Sequence, residues 1–187
     1  NTWNDTKVEV AINDKFNQGG VIMGTSAGMA ILSEIIFTAE NGTVYPDDAM
    51  TDENDPNITL KADFLSIFPN YIFDSHFVER GRLGRLIPFC LNNTLSPFNI
   101  NNQKNGLGVD DRTAICIDSN NIGEVMGSAA VTIIESIWTP ANMNPRISQL
   151  INNQKFDFNN FQVISTSGAF SINPPSQIFY QNYKNTL

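Results

Sequence analysis

The chain has 187 residues, 41% of them hydrophobic, and a formal net charge of −8. At this length one domain with a sizeable core is the default. The acidic balance, with a pI near 4.4, argues against a nucleic-acid-binding surface, which needs a basic patch, and no apolar run approaches membrane-spanning length. Asparagine is abundant, and four glycosylation sequons result, at Asn4, Asn41, Asn57 and Asn92. Chance supplies roughly that many at this composition. The sequons therefore leave the compartment open, with secretion slightly favoured over the cytoplasm. The two cysteines, Cys90 and Cys116, read as two buried free thiols rather than as a disulfide.

Asn4 or Asp5 can cap a first helix, in which Val8, Ile12 and Phe16 share one face and which Gly19-Gly20 ends. A strand at Val21 to Met23 follows, then Gly24-Thr25-Ser26-Ala27-Gly28, then a run from Met29 to Glu34 that can be helical. Thr38 to Lys61 is polar and acidic and reads as a long solvated loop; it lacks the spacing of an EF-hand calcium site. Tyr71 to Phe73 is a second strand, ending at Asp74-Ser75-His76-Phe77. The pattern next predicts a helix over Val78 to Leu91 with Leu83, Leu86 and Ile87 on its buried side, and a polar loop from Asn92 to Asn105. Gly106 to Val109 leads to Asp110-Asp111 and a strand at Thr113 to Ile117. Asn120 to Gly123 forms a hairpin turn toward a strand near Val125, and Ala130 to Ile134 is the next strand. The tail has a polar helix or loop around Arg146 to Gln154 and a strand at Phe161 to Ser165. Strands alternating with helices give an α/β class with an antiparallel hairpin toward the C-terminal side. A lone helix before the central turn makes the chain read as the C-terminal part of a larger domain.

Ser26 sits at the apex of a strand–turn–helix flanked by small residues. That is the form of a nucleophile elbow, which exposes the hydroxyl and aims the next backbone N–H, that of Ala27, at a developing oxyanion. A phosphate cradle at a helix N-terminus is the alternative. A serine nucleophile needs a base, and His76 is the only histidine in the chain. Four acids could orient it: Asp74, Glu79, Asp110 and Asp111. Asp74, two residues away, would have to fold back, so Asp110 or Asp111 is the more natural partner. The order serine, histidine, acid departs from that of α/β-hydrolases, where the acid precedes the histidine. Arg80, Arg82 and Arg85 form a basic cluster beside His76. They suit either surface pairing with the acidic loop or a pocket for a substrate carboxylate.

Three segments in this order resemble the cyanophycinase family of serine peptidases: Gly24 to Gly28, Asp74 to Arg85, and Gly106-Leu107-Gly108-Val109-Asp110-Asp111-Arg112-Thr113-Ala114. The resemblance covers about residues 5 to 135. It implies a class I glutamine amidotransferase-like (flavodoxin-like) fold, doubly wound on a mostly parallel sheet, of which this chain is a single partial catalytic domain. It also implies about a hundred further residues upstream, carrying strands of the same sheet and a second oxyanion donor. That segment is then a partner of this chain, and a homodimer is compatible with the reading. The implied triad is Ser26, His76 and Asp111, with Ala27 at the oxyanion and with Asp74, Ser75, Arg80, Arg82 and Arg85 facing the substrate. Asp111 stands where the family usually has Glu, and Ser75 where cyanophycinases often have Gln. The expected substrates are peptides, small and acidic or β-aspartyl, with no metal or cofactor required. The rival expectation is an inactive binding or structural subunit. An amidotransferase-like amidase is disfavoured because that class commonly uses cysteine at the elbow.

Overall fold

The computed structural model describes residues 3–91, 104–139, 142–164 and 170–172. The residues in chain order form α1 (Lys7–Asn17), α2 (Ala27–Ala30), β1 (Ser33–Phe37), α3 (Pro46–Thr51), β2 (Leu60–Lys61), β3 (Phe68–Ser75), α4 (Leu83–Leu91), β4 (Asn105–Val109), β5 (Thr113–Ile117), β6 (Ile122–Gly127), β7 (Ala130–Thr139), β8 (Asn142–Ile151), β9 (Lys155–Asp157), β10 (Gln162–Val163) and β11 (Phe170–Ile172). The polar loop expected from Asn92 lies outside the described residues up to 103, and Asn105 already belongs to β4.

A seven-stranded sheet runs in the order β11-β8-β7-β4-β3-β1-β2, and a four-stranded sheet in the order β10-β9-β6-β5. The pairs β1/β3 and β3/β4 are parallel, whereas β2 and β7 flank them antiparallel. The expectation of a mostly parallel sheet therefore describes the centre of the large sheet and not its flanks. Side chains along β3 alternate between two cores, as the period of a strand requires. Ile72 packs with Leu86, Ile87, Phe89 and Cys90 of α4 on one face. Tyr71 and Phe73 pack with Val125, Phe156 and Phe158 of the small sheet on the other. The two glycines of β4 are explained by the helical face. A Cβ on Gly106 would lie 2.9 Å from the Leu86 side chain, and one on Gly108 would lie 2.3 Å from the Phe77 ring. Bare backbone at these positions lets α4 and the turn after β3 close on the sheet.

Several local expectations change. Thr6 caps α1, its hydroxyl accepting from the Val8 N–H. Asp5 has φ +57° and cannot take the extended backbone of an N-cap. Val21 to Met23 forms no ladder among the described residues, and Val21 and Met23 are 93% and 92% exposed. An extended segment becomes a strand only by pairing. The helix after the turn is a single turn, not Met29 to Glu34. Ser33 ends it: its buried hydroxyl lies 2.8 Å from the Ala30 carbonyl and 2.7 Å from that of Ile35, and it accepts from the Phe73 N–H. Pairing with β3 then overrides the weak helical preference.

The acidic stretch 38–61 is not simply solvated, because it sends Val44, Ala49 and Ile58 into the core. The helix foreseen from Val78 starts at Leu83; Gly81 takes φ +58° and interrupts it. Arg146 to Gln154 lies largely in β8, which pairs with β7 from Thr139 to Ala130. Its polar residues mislead because Ser148 is buried within the sheet rather than solvated.

Both cysteines are free, but Cys90 is buried and Cys116 exposed, which corrects the reading of two buried thiols. Burial pushes the Cys90 thiol from 9.0 up to about 12. Its folded pKa lies above the unfolded one, so the unfolded chain ionises first as pH rises. This group therefore removes stability between about 9 and about 12. At pH 8 a disulfide reagent is expected to titrate Cys116 alone in the folded protein and both thiols after unfolding. Rapid reaction of both in the folded state would contradict the burial of Cys90.

Candidate active site

β3 and β4 run parallel, so the residues that follow them emerge at the same sheet end, where open α/β sheets place ligands. His76 follows β3 and Asp111 follows β4 by two residues. Ser26 stands immediately before α2, beside them. Two residues of this group have left-handed backbone, Ser26 with φ +52° and ψ −122° and His76 with φ +49°. Non-glycine residues adopt such angles only where the surroundings hold them there. Gly24 is required by the same turn, since a Cβ there would lie 2.0 Å from the Gly28 carbonyl oxygen.

The three side chains form one hydrogen-bonded line. Ser26 Oγ lies 3.0 Å from His76 Nε2, and His76 Nδ1 lies 2.5 Å from Asp111 Oδ1. An ionised carboxylate only accepts, so the Nδ1–H donates to Asp111. In the neutral ring Nε2 then accepts, and the Ser26 hydroxyl donates to it. Among the described residues no acceptor takes the Ala27 N–H, the first of α2.

The four acids take four different places. Asp111 faces His76. Asp110 is buried; its Oδ1 accepts from the Val78 N–H and its Oδ2 from the Ala130 N–H, each at 3.0 Å. Burial, with the charges of Glu79 and Asp111 adding, raises its carboxyl above the ordinary value. Glu79 Oε1 accepts from the Asp111 N–H at 3.0 Å. Asp74 accepts from Arg85 Nε at 2.7 Å and Nη2 at 2.8 Å, and from Arg82 Nη1 at 2.9 Å. The roles of Glu79 and Asp110 had no signal in the sequence beyond their nearness to His76 and Asp111.

The residues expected to face the substrate are placed as follows. Arg82 and Arg85 both pair with Asp74, which is buried, and not with the acidic stretch 38–61. Arg85 is buried too, its guanidinium 5.0 Å from the Phe37 ring centre and 5.8 Å from that of Phe89. Burial lowers the Arg82 pKa from its ordinary value, against the opposing charge of Asp74. Arg82 also donates from Nη1 to the Ser75 carbonyl at 2.6 Å, tying down the backbone just before His76. Ser75 is half-buried at the end of β3. Arg80 is exposed, and among the described residues no ion pair holds it.

Sheet end, turn and hydrogen-bonded line thus meet at one place in an α/β fold. Residues 1–125 match the model of peptidase family S51, and the chain belongs to that family. It is similar to the cyanophycinase of Synechococcus elongatus, 30% identical over 115 residues, which cover 62% of this chain and 31% of that protein. It is also similar to the cyanophycinase of Geminocystis herdmanii, 29% identical over 132 residues, which cover 70% of this chain and 43% of that protein. The chain thus spans less than half the length of these relatives.

Proposed function

We propose that this chain carries the nucleophile, base and orienting acid of a serine peptidase, with Ser26 at the tip of a nucleophile elbow. The observation that carries the reading is the 3.0 Å contact of Ser26 Oγ with the Nε2 of a histidine whose Nδ1 is already engaged by Asp111. In this mechanism Ser26 Oγ attacks the carbonyl carbon of a peptide or isopeptide bond while His76 Nε2 takes its proton. The Ala27 N–H donates to the oxyanion. Collapse breaks the C–N bond, and His76 returns the proton to the leaving amine. Water then attacks the acyl-serine with His76 again as base, releasing the acid and restoring Ser26. Asp111 holds the imidazole in the required tautomer and stabilises its protonated form. The shorter side chain at 111 is no obstacle to this role, because it reaches Nδ1. That contact favours an active site over an inactive subunit.

The substrates proposed are small acidic or β-aspartyl peptides, whose carboxylates a basic side chain beside the site would suit. Of the three arginines of the cluster, exposed Arg80 is best placed to meet a substrate carboxylate. The second oxyanion donor is assigned to an upstream segment of the same protein, completing a doubly wound domain. Three features support this: exposed Val21 and Met23, an α1 that buries no residue, and open space beside Gly28.

A fluorophosphonate probe tests the proposal on the full-length protein. Wild type is expected to be labelled at Ser26, and Ser26→Ala to lose labelling entirely. Equal labelling of the two would sink it.

A further inference from the structure

We infer that Glu79 is a positioning residue of this site, acting with Asp110 to staple the turn that carries His76 to the turn that carries Asp111. The inference rests on the peptidase reading for its consequence but not for its geometry. The two turns exchange carboxylates. Asp110, from the turn after β4, accepts from the Val78 N–H in the turn after β3. Glu79, from the turn after β3, accepts from the Asp111 N–H in the turn after β4. The Phe77 N–H adds a backbone bond to the Val109 carbonyl at 3.2 Å. These bonds run directly after His76, at residues 77 to 79, and up to Asp111, at residues 109 to 111.

Such ties are needed here because neither turn is regular structure. His76 has φ +49° and Arg112, just after Asp111, has φ +56°. No strand or helix ladder holds the His76 and Asp111 backbones together at this end of the sheet. A carboxylate accepting a backbone N–H is among the stronger hydrogen bonds available for the purpose. Position 111 makes the demand sharper. Aspartate reaches less far than the glutamate usual in the family, so its backbone must stand closer to the imidazole. The bond from Glu79 is made to the N–H of that same residue. Asp110 also accepts from the Ala130 N–H at the start of β7, which ties the pair to the sheet. The division of labour is then clear: buried Asp110 builds the turn, and exposed Glu79 sets its final register.

The test compares wild type, Glu79→Ala and Glu79→Gln by proton–nitrogen NMR and by the rate of fluorophosphonate labelling. The far-downfield Nδ1–H resonance expected for a short histidine–carboxylate bond is assigned to His76 by its loss in His76→Ala. Wild type and Glu79→Gln, whose amide oxygen still accepts from the Asp111 N–H, are expected to keep this resonance and to label at similar rates. Glu79→Ala is expected to lose or broaden the resonance and to label on the order of 10- to 100-fold more slowly, the effect of a catalytic group displaced by up to about 1 Å. Its unfolding midpoint should barely move, because Glu79 is exposed. The inference is overturned if Glu79→Ala keeps the resonance, if Glu79→Gln behaves as badly as Glu79→Ala, or if wild type shows no such resonance. A wild type that keeps the resonance but is not labelled would sink the peptidase reading alone, and the NMR comparison would still decide the role of Glu79.

Discussion

Replacing Arg85 by Met, or Asp74 by Asn, is expected to lower folding stability by about 3–5 kcal/mol, the range measured when one partner of a buried ion pair is removed. The side chains of Arg85 and Asp74 are 6% and 7% exposed. The Asp74 carboxylate takes two hydrogen bonds from Arg85, one from Arg82 and one from the Ser75 N–H. Met at 85 keeps most of the length of the apolar stem but removes the guanidinium beside Phe37 and Phe89 and leaves Asp74 with a single guanidinium. Asn at 74 leaves two guanidinium groups facing a neutral amide. In either case a desolvated charge loses its compensation, and that penalty dominates the loss of packing. Urea unfolding of each variant gives the number. A loss below about 1 kcal/mol would show that the pair is worth no more than an exposed one.

The second large effect is expected at Gly24. Gly24→Ala should slow fluorophosphonate labelling of Ser26 by at least about 100-fold, the order lost when a reacting group shifts by about 1 Å. The clash is with backbone: the new Cβ would stand 2.0 Å from the Gly28 carbonyl oxygen and 2.7 Å from the Met29 nitrogen. No side chain can swing away to relieve it, so the turn must open. Opening moves the Ala27 N–H and the Ser26 hydroxyl together, because both lie between the two clashing ends. Gly28→Ala is the matched control. A Cβ there meets nothing within 4 Å in this chain, so any slowing by Gly28→Ala in the full-length protein reports the upstream segment proposed to cover it and not a clash within the turn. Unchanged labelling of Gly24→Ala would mean that the turn observed here does not govern the reactivity of Ser26.

The nature of the site residues was legible in the sequence because each carries its chemistry in its type. A serine between small residues, one histidine and a nearby pair of acids were enough to suggest a base-activated hydroxyl. The apolar spacing of Leu86 and Ile87 likewise announced the buried face of α4, and Asn120 to Gly123 its hairpin. Local pattern could not apportion the four acids or the arginines. Asp74, Glu79, Asp110 and Asp111 are the same functional group, and all lie close to His76 or to its partner in sequence. Only the parallel pairing of β3 with β4 brings the 111 carboxylate to Nδ1 and the 79 carboxylate to a backbone N–H.

The arginines show the same limit from the other side. A basic cluster in an acidic chain looks like a surface feature, yet Arg85 is buried because strand alternation turns Asp74 toward the face that α4 covers. Val21 to Met23 failed as a strand, and Arg146 to Gln154 proved to lie largely in one, for a single reason. A strand is made by its neighbour, and neighbours are distant in sequence. The sequence by itself therefore determined which groups can react and which faces are apolar, since both are properties of residue type and short-range period. Tertiary structure alone decided which carboxylate meets the imidazole, which is spent on arginine and which hold turns together, since hydrogen-bond partners are chosen by contacts between segments remote along the chain.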